Sequence, residues 1–576
     1  MMRAATVIQP GSLLGWVESP QPQRGVRTFR DGEWTLCDYA TLAARVRGAA
    51  WHLTEEGVSA GKVVAICEPD CLGFITAFFA TLYAGATPAP LPPRSTDPES
   101  LLDHITAVLN LVRPAVVVQG LENGTLVDEA IELSASCARR VRLNHQPAEQ
   151  GSPSKLADIS LLQFTSGSTG PPRGIRITGD NLEAQVQSVS AWHGYRPDDA
   201  FASWLPLHHD MGLAGLLLAA ILTQRDLWQM RPEQFLMAPV EWLRCLDQGK
   251  ATITAAPTFG YGYVARRVRR TQLQAMDFSG VRSAIVGAER LSPAPLRAFV
   301  ELLAPRGLSA RALRPAYGLA EATLAVTGSL MSQTPRTVTV DWATSRPGQP
   351  LPLVGGDALL SRRSPTRGAI VSSGRALNGV CLRIVDEEGF PVPECHLGEI
   401  TVRSPSVGAG YLGSDDATTT RFDDPVLYTG DAGFIVNGEL YVVGRIADSI
   451  KIRGRRVYAE SIEQRIASDH HISGHRCLAI PSVTAGEDSV TILLEAPPHE
   501  LTSEEVVRSV RAVTGPSVAV DVIEVDQGAM ARTTSGKVQR RQMWQQLRSG
   551  VLPGQLSTTN SAIDEVPPAL EKELAP

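Results

Sequence analysis

Short apolar runs alternate with longer segments of helical periodicity along most of this 576-residue chain, and this alternation limits the fold more than any other feature. Apolar side chains recur at helical spacing in residues 38–53, whereas residues 62–67 form a short, nearly continuous apolar run. The same rhythm predicts further helices at residues 72–84, 181–192 and 211–222, and further strands at residues 114–119, 200–205, 251–255, 283–286 and 313–317. Strands that alternate with helices of this length favour an α/β fold with a largely parallel sheet.

The chain is too long for one ordinary hydrophobic core, and its pattern changes along its length. Residues 329–367 are dominated by Pro, Ser, Thr, Gly and Arg, which predicts either an inserted element or partial disorder. Alternating patterns at residues 380–385 and 398–402 predict a small antiparallel or barrel-like lobe. We therefore expect a large N-terminal α/β domain at residues 1–444, in which parallel sheets with flanking helices are joined by this lobe.

A smaller α+β domain is predicted at residues 450–550. Helical periodicity covers residues 458–467 and 502–513, and strands are predicted at residues 477–481, 490–495 and 518–525. Thr502 with Glu505 three positions later has the spacing of a helix capping box. Residues 551–576 lack apolar periodicity and are rich in Ser, Thr, Pro and Glu, so a disordered tail is predicted there.

Composition argues against several classes of protein. A formal net charge of −6 and a pI near 6.1 give no reason to expect a nucleic acid or an anionic membrane as partner. The apolar run at residues 211–222 is too short for a transmembrane segment, and the N-terminus lacks the pattern of a secretion signal. Eight scattered cysteines favour reduced thiols in a cytoplasmic protein. The histidine pairs at 208–209 and 470–471 lack the spacing of a transition-metal site.

A turn of hydroxyl and glycine residues follows the apolar run at residues 161–164. The turn comprises residues 165–170, and Arg173 comes soon after it. Small side chains allow backbone N–H groups to crowd around an anion, so the turn predicts a phosphate site. It differs from the P-loop of strand-to-helix NTPases, because Pro171 and Pro172 interrupt any helix that would begin here. Considered alone, the turn is also compatible with a polar hairpin that binds nothing, although the phosphate site is favoured.

Two predicted strands end in loops that carry a glycine and a carboxylate. These loops are Gly287-Ala288-Glu289 and the segment from Tyr317 to Glu321. Ligands of open α/β sheets bind at the carboxyl ends of the strands, so the two loops favour a ligand crevice. Considered singly, each loop is also compatible with an ordinary turn that carries a solvated acid.

Several motifs follow one another in a single order. They are residues 165–174, Tyr317 to Glu321, Tyr428-Thr429-Gly430-Asp431, Gly444-Arg445 through Lys451 and Gly454, and Thr533-Thr534-Ser535-Gly536-Lys537. With this set, residues 30–548 resemble the adenylate-forming family of acyl-CoA synthetases, luciferases and peptide-synthetase adenylation domains. The resemblance implies that ATP activates a carboxylic acid as acyl-AMP, with release of pyrophosphate.

The resemblance also implies residue roles. Lys537, His209 and Glu321 are the candidate catalytic residues, and Glu321 is the candidate Mg²⁺ ligand. Lys537 matches the family's mobile lysine, which bridges the substrate carboxylate and the α-phosphate. The candidate ATP-binding residues are Thr165, Ser166, Gly167, Ser168, Thr169, Gly170, Arg173, Gly287, Ala288, Glu289, Tyr317, Gly318, Asp431 and Arg445.

Some of these assignments are more specific. Asp431 is implied as the acceptor for the ribose hydroxyls, and Arg445 as its donor partner. Arg173 stands where the family usually has lysine, which keeps the charge but changes the contact geometry. Residues 445–449 match the hinge about which family members rotate the small, mobile domain after adenylation. Ala447 occupies the hinge position that is usually aspartate or lysine, and Asp448 follows it.

Residues 204–213 resemble the signature of one branch of the family, the fatty acyl-AMP ligases. Residues 329–367 lie where that branch carries an insertion, which is thought to restrict domain motion and to disfavour CoA. Asp210, Met211, Gly212, Phe259 and Tyr261 are candidates for an acyl pocket, although plain core packing explains these apolar positions equally well.

The expected activity is therefore ATP-dependent activation of a fatty or other hydrophobic acid. The acyl group would then pass to the phosphopantetheine thiol of a separate acyl carrier protein, in lipid, polyketide or peptide biosynthesis. The first alternative is an acyl-CoA synthetase with CoA as acceptor. The second is a catalytically silent nucleotide-binding relative, against which the retained Glu321, Asp431, Arg445 and Lys537 argue.

Overall fold

A computed structural model describes most of the chain. The described residues are 11–94, 98–120, 124–143, 153–165, 172–289, 291–342, 344–345, 348–359, 369–413, 419–452, 455–470, 472, 476–484, 487–495, 501–515, 518–532, 538–549, 552 and 554–558. Within these ranges, no helix is long and apolar enough to cross a membrane.

The first part of the chain alternates strands and helices as the sequence predicts. Its elements are α1 (Gly15–Glu18), β1 (Gly25–Arg30), β2 (Glu33–Asp38), α2 (Tyr39–Glu55), β3 (Val63–Ile66), α3 (Cys71–Tyr83), β4 (Thr87–Pro90), α4 (Pro98–Val112), β5 (Val116–Val118), α5 (Gly124–Leu133) and β6 (Arg139–Val141). Asp38 starts α2 by accepting a hydrogen bond from the Thr41 N–H. Strands β4, β3, β5 and β6 form, in that order, a wholly parallel sheet.

The central part continues this alternation. Its elements are β7 (Leu161–Thr165), β8 (Arg173–Ile177), α6 (Gly179–His193), β9 (Phe201–Ser203), a π-helix (Met211–Leu217), α7 (Leu218–Leu222), β10 (Leu227–Gln229), α8 (Pro232–Met237), α9 (Pro239–Leu246), β11 (Ile253–Ala256), α10 (Thr258–Arg267), β12 (Ser283–Val286), α11 (Pro293–Leu303), β13 (Leu313–Gly318) and β14 (Ala325–Gly328). Short 3₁₀ turns occupy Asp247–Gly249, Arg270–Leu273, Ala304–Arg306, Ala310–Ala312 and Ala320–Ala322.

A strand-rich region follows. Its elements are β15 (Arg336–Val340), β16 (Leu353–Ala358), β17 (Ala369–Val371), β18 (Arg375–Ala376), β19 (Cys381–Val385), β20 (Gly398–Arg403), β21 (Arg421–Asp423), β22 (Val426–Val436) and β23 (Glu439–Arg445). Strands β19, β20, β22, β21 and β23 form one antiparallel sheet, which confirms the predicted antiparallel lobe.

The main sheet of the large domain has nine strands. Their order is β18-β14-β13-β12-β11-β9-β10-β1-β2, and the central pairings from β13 through β1 are parallel. The largest hydrophobic core is continuous across this sheet and its helices, and includes Phe78, Phe201 and Leu216. The predicted α/β architecture is therefore confirmed.

The segment with the unusual composition forms an antiparallel sheet where it is described. Strands β16 and β17 flank β15 there. Val338 and Ile370 from this sheet pack with Phe434 and Tyr441 of the lobe. The described residues of this segment therefore form strands, and the insertion with its limits of about 329–367 stays a prediction.

The C-terminal part has its own core. Its elements are β24 (Ser449–Ile452), β25 (Arg455–Tyr458), α12 (Ala459–His470), β26 (Cys477–Thr484), β27 (Glu487–Glu495), α13 (Ser503–Thr514), β28 (Ala519–Val525), α14 (Arg540–Arg548) and β29 (Gly554–Thr558). Strands β26 to β29 form one mixed sheet, and Ile462, Val510 and Val522 lie in the core beside it. The capping box between Thr502 and Glu505 is confirmed.

The predicted disordered tail is wrong at its beginning. Gly554–Thr558 forms β29, which pairs antiparallel with β28 and places Leu556 opposite Ile523. A short strand of this kind is stabilised by the open edge of a neighbouring strand rather than by its own periodicity, so the sequence pattern could not reveal it. Residues 559–576 lie outside the described residues.

Candidate active site

The two loops that carry a glycine and a carboxylate meet at one edge of the main sheet. β12 ends at Val286 and β13 ends at Gly318, and the two strands are parallel neighbours with Val286 opposite Pro315. Parallel neighbours present their carboxyl ends at the same edge. The structure thus brings Gly287 and Tyr317 to the crevice position that the sequence predicts.

Asp431 lies at the centre of a hydrogen-bonded group. Its Oδ2 accepts a 2.7 Å hydrogen bond from the Tyr317 hydroxyl, and its Oδ1 lies 2.9 Å from the Arg445 Nε. Asp431 and Arg445 face each other across β22 and β23. The Asp431 carboxylate raises the pKa of Arg445 further above its ordinary value, so the guanidinium stays charged. Each carboxylate oxygen has a second lone pair, which suits an acceptor of ribose hydroxyl groups.

Two features hold the backbone of β22 just before Asp431. Gly430 has a φ of +70°, which favours glycine, and a Cβ there would lie 2.7 Å from the Thr419 Oγ1. The Gly430 N–H donates a 3.0 Å hydrogen bond to the Glu399 Oε1. Burial raises the pKa of Glu399, while the Gly430 N–H and Arg421 oppose that rise. Glu399 therefore positions Asp431, a role that the sequence did not suggest.

The three residues of the loop after β12 have different environments. A Cβ at Gly287 would make only ordinary contacts, the nearest at 3.4 Å, so packing alone does not explain the glycine. The exposed Ala288 has a φ of +65°, which is uncommon for a residue with a side chain. Glu289 instead accepts a 2.9 Å hydrogen bond from the Phe259 N–H in the first turn of α10. Its carboxylate thus stabilises the start of α10, and the nucleotide contact of Gly287, Ala288 and Glu289 stays a prediction.

The predicted phosphate turn connects the two strands of a hairpin. β7 and β8 pair antiparallel, with Thr165 opposite Arg173. Ser166, Gly167, Ser168, Thr169 and Gly170 lie outside the described residues, so their ATP role stays a prediction. The sequence predicted the strand before the turn but missed β8. Arg173 holds its guanidinium 6.0 Å from the centre of the Tyr411 ring.

Glu321 lies beside this hairpin. It is in the 3₁₀ turn Ala320–Ala322, which packs against β7, and only 6% of the residue is exposed. The Tyr411 hydroxyl donates a 2.6 Å hydrogen bond to the Glu321 Oε1. Burial, followed by the charge of Glu321, raises the pKa of Tyr411, which therefore remains a hydrogen-bond donor.

Backbone contacts fix the position of Tyr411. The N–H groups of Ala409 and Leu412 donate to the carbonyls of Arg176 and Gly174, and the Arg176 N–H donates to the Gly410 carbonyl. These bonds, of 2.7 to 2.9 Å, align the segment with β8. Sequence reasoning missed Tyr411, because its contact with Glu321 depends on this long-range pairing.

The carboxylate of Glu321 fits a magnesium ion bound together with phosphates. No group of three or more His, Cys, Asp or Glu side chains in the described ranges could hold a metal by itself. Mg²⁺ usually keeps several waters and takes one or two carboxylates plus substrate phosphates. A single buried carboxylate next to the hairpin of β7 and β8, which carries the predicted phosphate turn, matches this requirement.

His209 and Asp210 form a close pair near β7. The His209 Nδ1 lies 2.6 Å from the Asp210 Oδ1, and the Met211 N–H donates to the same oxygen at 2.7 Å. Burial alone would raise the pKa of Asp210, but His209 and the Met211 N–H hold it below its usual value. Gln163 in β7 donates a 2.8 Å hydrogen bond to the His208 carbonyl. This bond fastens the His209 loop to the strand that leads into the phosphate turn.

The predicted apolar helix at residues 211–222 begins as a π-helix. The π-helix covers Met211–Leu217, and α7 continues to Leu222. Gly212 packs so closely on the Pro206 carbonyl that a Cβ would overlap it. Apolar periodicity does not distinguish a π-helix from an α-helix, so the sequence analysis missed the π-helix. In other proteins, π-helical segments often mark a functional site.

The two aromatic candidates for the acyl pocket differ in their surroundings. Tyr261 is fully buried, packs edge-to-face on Phe299 at 4.7 Å and donates a 2.8 Å hydrogen bond to the Ile285 carbonyl. This is core packing, one of the two interpretations that the sequence left open. Phe259 is half-buried, with its ring centre 5.9 Å from that of Trp204, and remains a pocket candidate.

The remaining predicted residues concern the small domain. Ala447 is buried between β23 and β24. Lys537 lies outside the described residues, so its catalytic role stays a prediction.

The parallel sheet, the Asp431–Arg445 pair and the carboxylate beside the hairpin fit an adenylate-forming ligase that uses ATP. The chain matches the family described as AMP-binding enzyme over residues 18–412, and it belongs to that family.

The chain is similar to proteins that are described as ligases of fatty acids. The long-chain-fatty-acid–AMP ligase FadD26 of Mycobacterium marinum is 31% identical, covering 93% of this chain and 97% of the relative. The putative fatty-acid–CoA ligase fadD25 of Mycobacterium tuberculosis is 30% identical, covering 89% of this chain and 92% of the relative. A structure from a study of fatty acyl-adenylate ligases of E. coli and L. pneumophila has a TM-score of 0.81 at 29% identity, covering 93% of this chain and 97% of that chain.

Proposed function

We propose that this enzyme activates a fatty or other hydrophobic carboxylic acid with ATP and Mg²⁺, and then passes the acyl group to the phosphopantetheine thiol of a separate carrier protein. The observation that carries the proposal is that Asp431 accepts a hydrogen bond from Tyr317 and forms an ion pair with Arg445. This arrangement suits a nucleoside triphosphate whose ribose contacts Asp431.

Adenylation requires that an anionic carboxylate attack the α-phosphorus of another anion. The attack forms the acyl–phosphate bond and breaks the bond to pyrophosphate, so fixed positive charge and oriented donors lower the barrier. Arg445 supplies a fixed charge beside Asp431, and Arg173 supplies another at the end of the hairpin. Lys537 is proposed to bridge the acid carboxylate and the α-phosphate. Mg²⁺, held by Glu321, would neutralise charge on the phosphates.

The proposed hydrophobic substrate is supported by the buried surface near the site. Every residue of Met211–Leu217 and of α7 is buried, and Phe259 lies next to Trp204. Relatives are named as ligases of long-chain fatty acids, and one is named a 4-hydroxyphenylalkanoate adenylyltransferase. An acid with an extended apolar part is therefore the proposed substrate class.

A panel of carboxylic acids tests the first half-reaction. The full chain, ATP and Mg²⁺ would be incubated with each acid, and the acyl-adenylate trapped as a hydroxamate. We expect trapping with apolar acids, a large loss in Asp431→Asn, and little change in the matched variant Asp423→Asn, whose side chain is exposed on β21. If wild type yields no acid-dependent hydroxamate or ATP–pyrophosphate exchange with any acid, the silent-relative alternative replaces this proposal.

CoA remains a second candidate acceptor, because one relative is named a putative fatty-acid–CoA ligase. The adenylated enzyme would be supplied with either CoA or a phosphopantetheinylated carrier protein, and thioester formation followed by mass spectrometry. We expect transfer to the carrier. Efficient formation of the CoA thioester would overturn the carrier assignment while leaving the adenylation proposal intact.

A further inference from the structure

Arg540 lies at the centre of a buried ionic cluster in the small domain. It is the first residue of α14, and its side chain is only 14% exposed. Its Nη1 forms an ion pair with Asp448, its Nη2 donates a 2.8 Å hydrogen bond to the Glu463 Oε1, and its Nε donates a 3.0 Å hydrogen bond to the Ala479 carbonyl. Glu460 adds a third carboxylate, with Oε1 3.6 Å from Nη1.

The partners of Arg540 come from separate segments. Asp448 belongs to the connection between the two domains, Glu460 and Glu463 to the first turns of α12, and Ala479 to β26. The Asp448 carbonyl also accepts a 2.9 Å hydrogen bond from the Ala459 N–H at the start of α12. Asp448 is thus bound to the small domain through both its side chain and its backbone.

The residues just before Asp448 are bound to the large domain instead. Arg445 pairs with Asp431, and the Ile446 N–H donates a 2.9 Å hydrogen bond to the Gly430 carbonyl. Ala447 is the residue between these two sets of contacts. Its methyl side chain brings no charge or polar group to the connection, whereas Asp448 does.

We propose that the Asp448–Arg540 pair positions the small domain for adenylation, because it makes Asp448 part of that domain and confines the pivot to Ala447. Arg540 is a positioning residue, since it touches no reacting atom. It also fixes the start of α14, three residues after the proposed catalytic Lys537. The kinetic part of this inference rests on the proposed function.

Arg540 stays positively charged, so it can pair with three carboxylates at once. Burial alone would lower the pKa of Arg540, but Asp448, Glu463 and Glu460 raise it, so the guanidinium stays charged. Removing the guanidinium would leave three carboxylates close together, and breaking buried pairs in this way is strongly destabilising. Asp448→Asn is the better variant, because Arg540 keeps its contacts with Glu460 and Glu463.

The matched control is Asp469→Asn. Asp469 in α12 pairs with Arg465 at 2.7 Å and accepts a hydrogen bond from Ser509, two residues of the small domain, and its side chain has the same 12% exposure as that of Asp448. In Asp448→Asn we expect the kcat of acid-dependent ATP–pyrophosphate exchange to fall at least about tenfold, with the KM for ATP changed less than about threefold. Asp448→Glu should recover part of the rate, and Asp469→Asn should keep the wild-type rate.

A second measurement does not depend on activity. Limited trypsin digestion of the full chain would follow cleavage at the exposed Lys451 in β24, just after the connection at residues 445–449. We expect Asp448→Asn to be cut several-fold faster there than wild type or Asp469→Asn. Wild-type cleavage in Asp448→Asn overturns the inference even if the enzyme proves inactive with every acid. So does a kcat loss that Asp469→Asn shares, because the effect would then reflect general destabilisation.

Discussion

The Tyr411 hydroxyl donates a 2.6 Å hydrogen bond to the Glu321 carboxylate across 90 residues of sequence. Both residues are buried, and the segment that carries Tyr411 is aligned with β8 by backbone hydrogen bonds. Hydrogen bonds therefore link β8, Tyr411 and Glu321. Tyr411 fixes the direction in which Glu321 presents its second oxygen.

Tyr411→Phe should weaken the binding of Mg²⁺ more than the binding of ATP. The substitution keeps the ring that faces Arg173 but removes the donor to Glu321, and a hydrogen bond to a charged group contributes about 1.5–3 kcal/mol. We expect the Mg²⁺ concentration for half-maximal ATP–pyrophosphate exchange to rise about tenfold. Tyr39→Phe, which loses a buried hydroxyl bond to the Arg225 carbonyl away from the site, is the control. Equal Mg²⁺ curves for the two variants would remove Tyr411 from this role.

Local patterns in the sequence were sufficient to predict the α/β fold. Residues 283–286 form β12 as predicted, and the helix predicted at 38–53 is α2, begun by the capping Asp38. These elements follow from apolar spacing and caps, which depend on neighbours in sequence. β29 and the π-helix were missed because a partner strand and close packing at Gly212 determine them.

The candidate site divides in the same way. Asp431 and Arg445 were paired from the family motif, and they lie opposite each other in neighbouring strands. Tyr411 and Glu399 were missed, because each acts through a contact that forms only when distant strands align. The bond between the Glu289 carboxylate and the first turn of α10 was also missed, whereas the assignment of this loop to the nucleotide stays a prediction.

Arg445→Lys should raise the KM for ATP. Lysine keeps the charge but has no Nε donor at the position that now lies 2.9 Å from the Asp431 Oδ1, so the carboxylate loses its fixed orientation. An increase of about 10- to 100-fold corresponds to losing one charge-assisted hydrogen bond. Steady-state exchange kinetics across ATP concentrations measure this. Arg383 is exposed in β19 of the same lobe, so the control variant Arg383→Lys should leave the KM for ATP unchanged. An unchanged KM in Arg445→Lys would contradict the assignment of Asp431 to the ribose.

Lys537→Ala should abolish adenylation while ATP binding survives. The proposed lysine contacts charge that develops at the α-phosphate, and removal of one such donor typically costs about 100- to 1000-fold in kcat. The contacts proposed for ATP come from the large domain, so affinity for a non-hydrolysable ATP analogue, measured calorimetrically, should stay within about threefold. The exposed Lys250→Ala serves as the control. Wild-type exchange in Lys537→Ala would exclude the lysine from catalysis.

Glu68→Gln should stabilise the protein at high pH and not at low pH. Glu68 is 8% exposed after β3, packed so that a Cβ at Gly120 would lie 2.6 Å from its Oε1. Burial raises its pKa from 4.5 to about 7, with Arg142 and the Asp70 N–H opposing the rise.

The sign of the pH dependence follows from proton binding. Between pH 4.5 and about 7 the folded chain holds a proton on Glu68 that the unfolded chain has lost, so the free energy of unfolding falls as pH rises through that window. Glutamine does not titrate, and its amide oxygen still accepts the bond that the Asp70 N–H now donates at 3.0 Å. The gain at pH 8 is therefore at most about 3 kcal/mol. Thermal midpoints from pH 4.5 to 8.5 measure the difference, which should grow with pH for Glu68→Gln and stay flat for the exposed Glu129→Gln. If the thermal midpoints of Glu68→Gln and wild type differ by the same amount at pH 4.5 and at pH 8.5, Glu68 does not titrate within this range and the prediction is wrong.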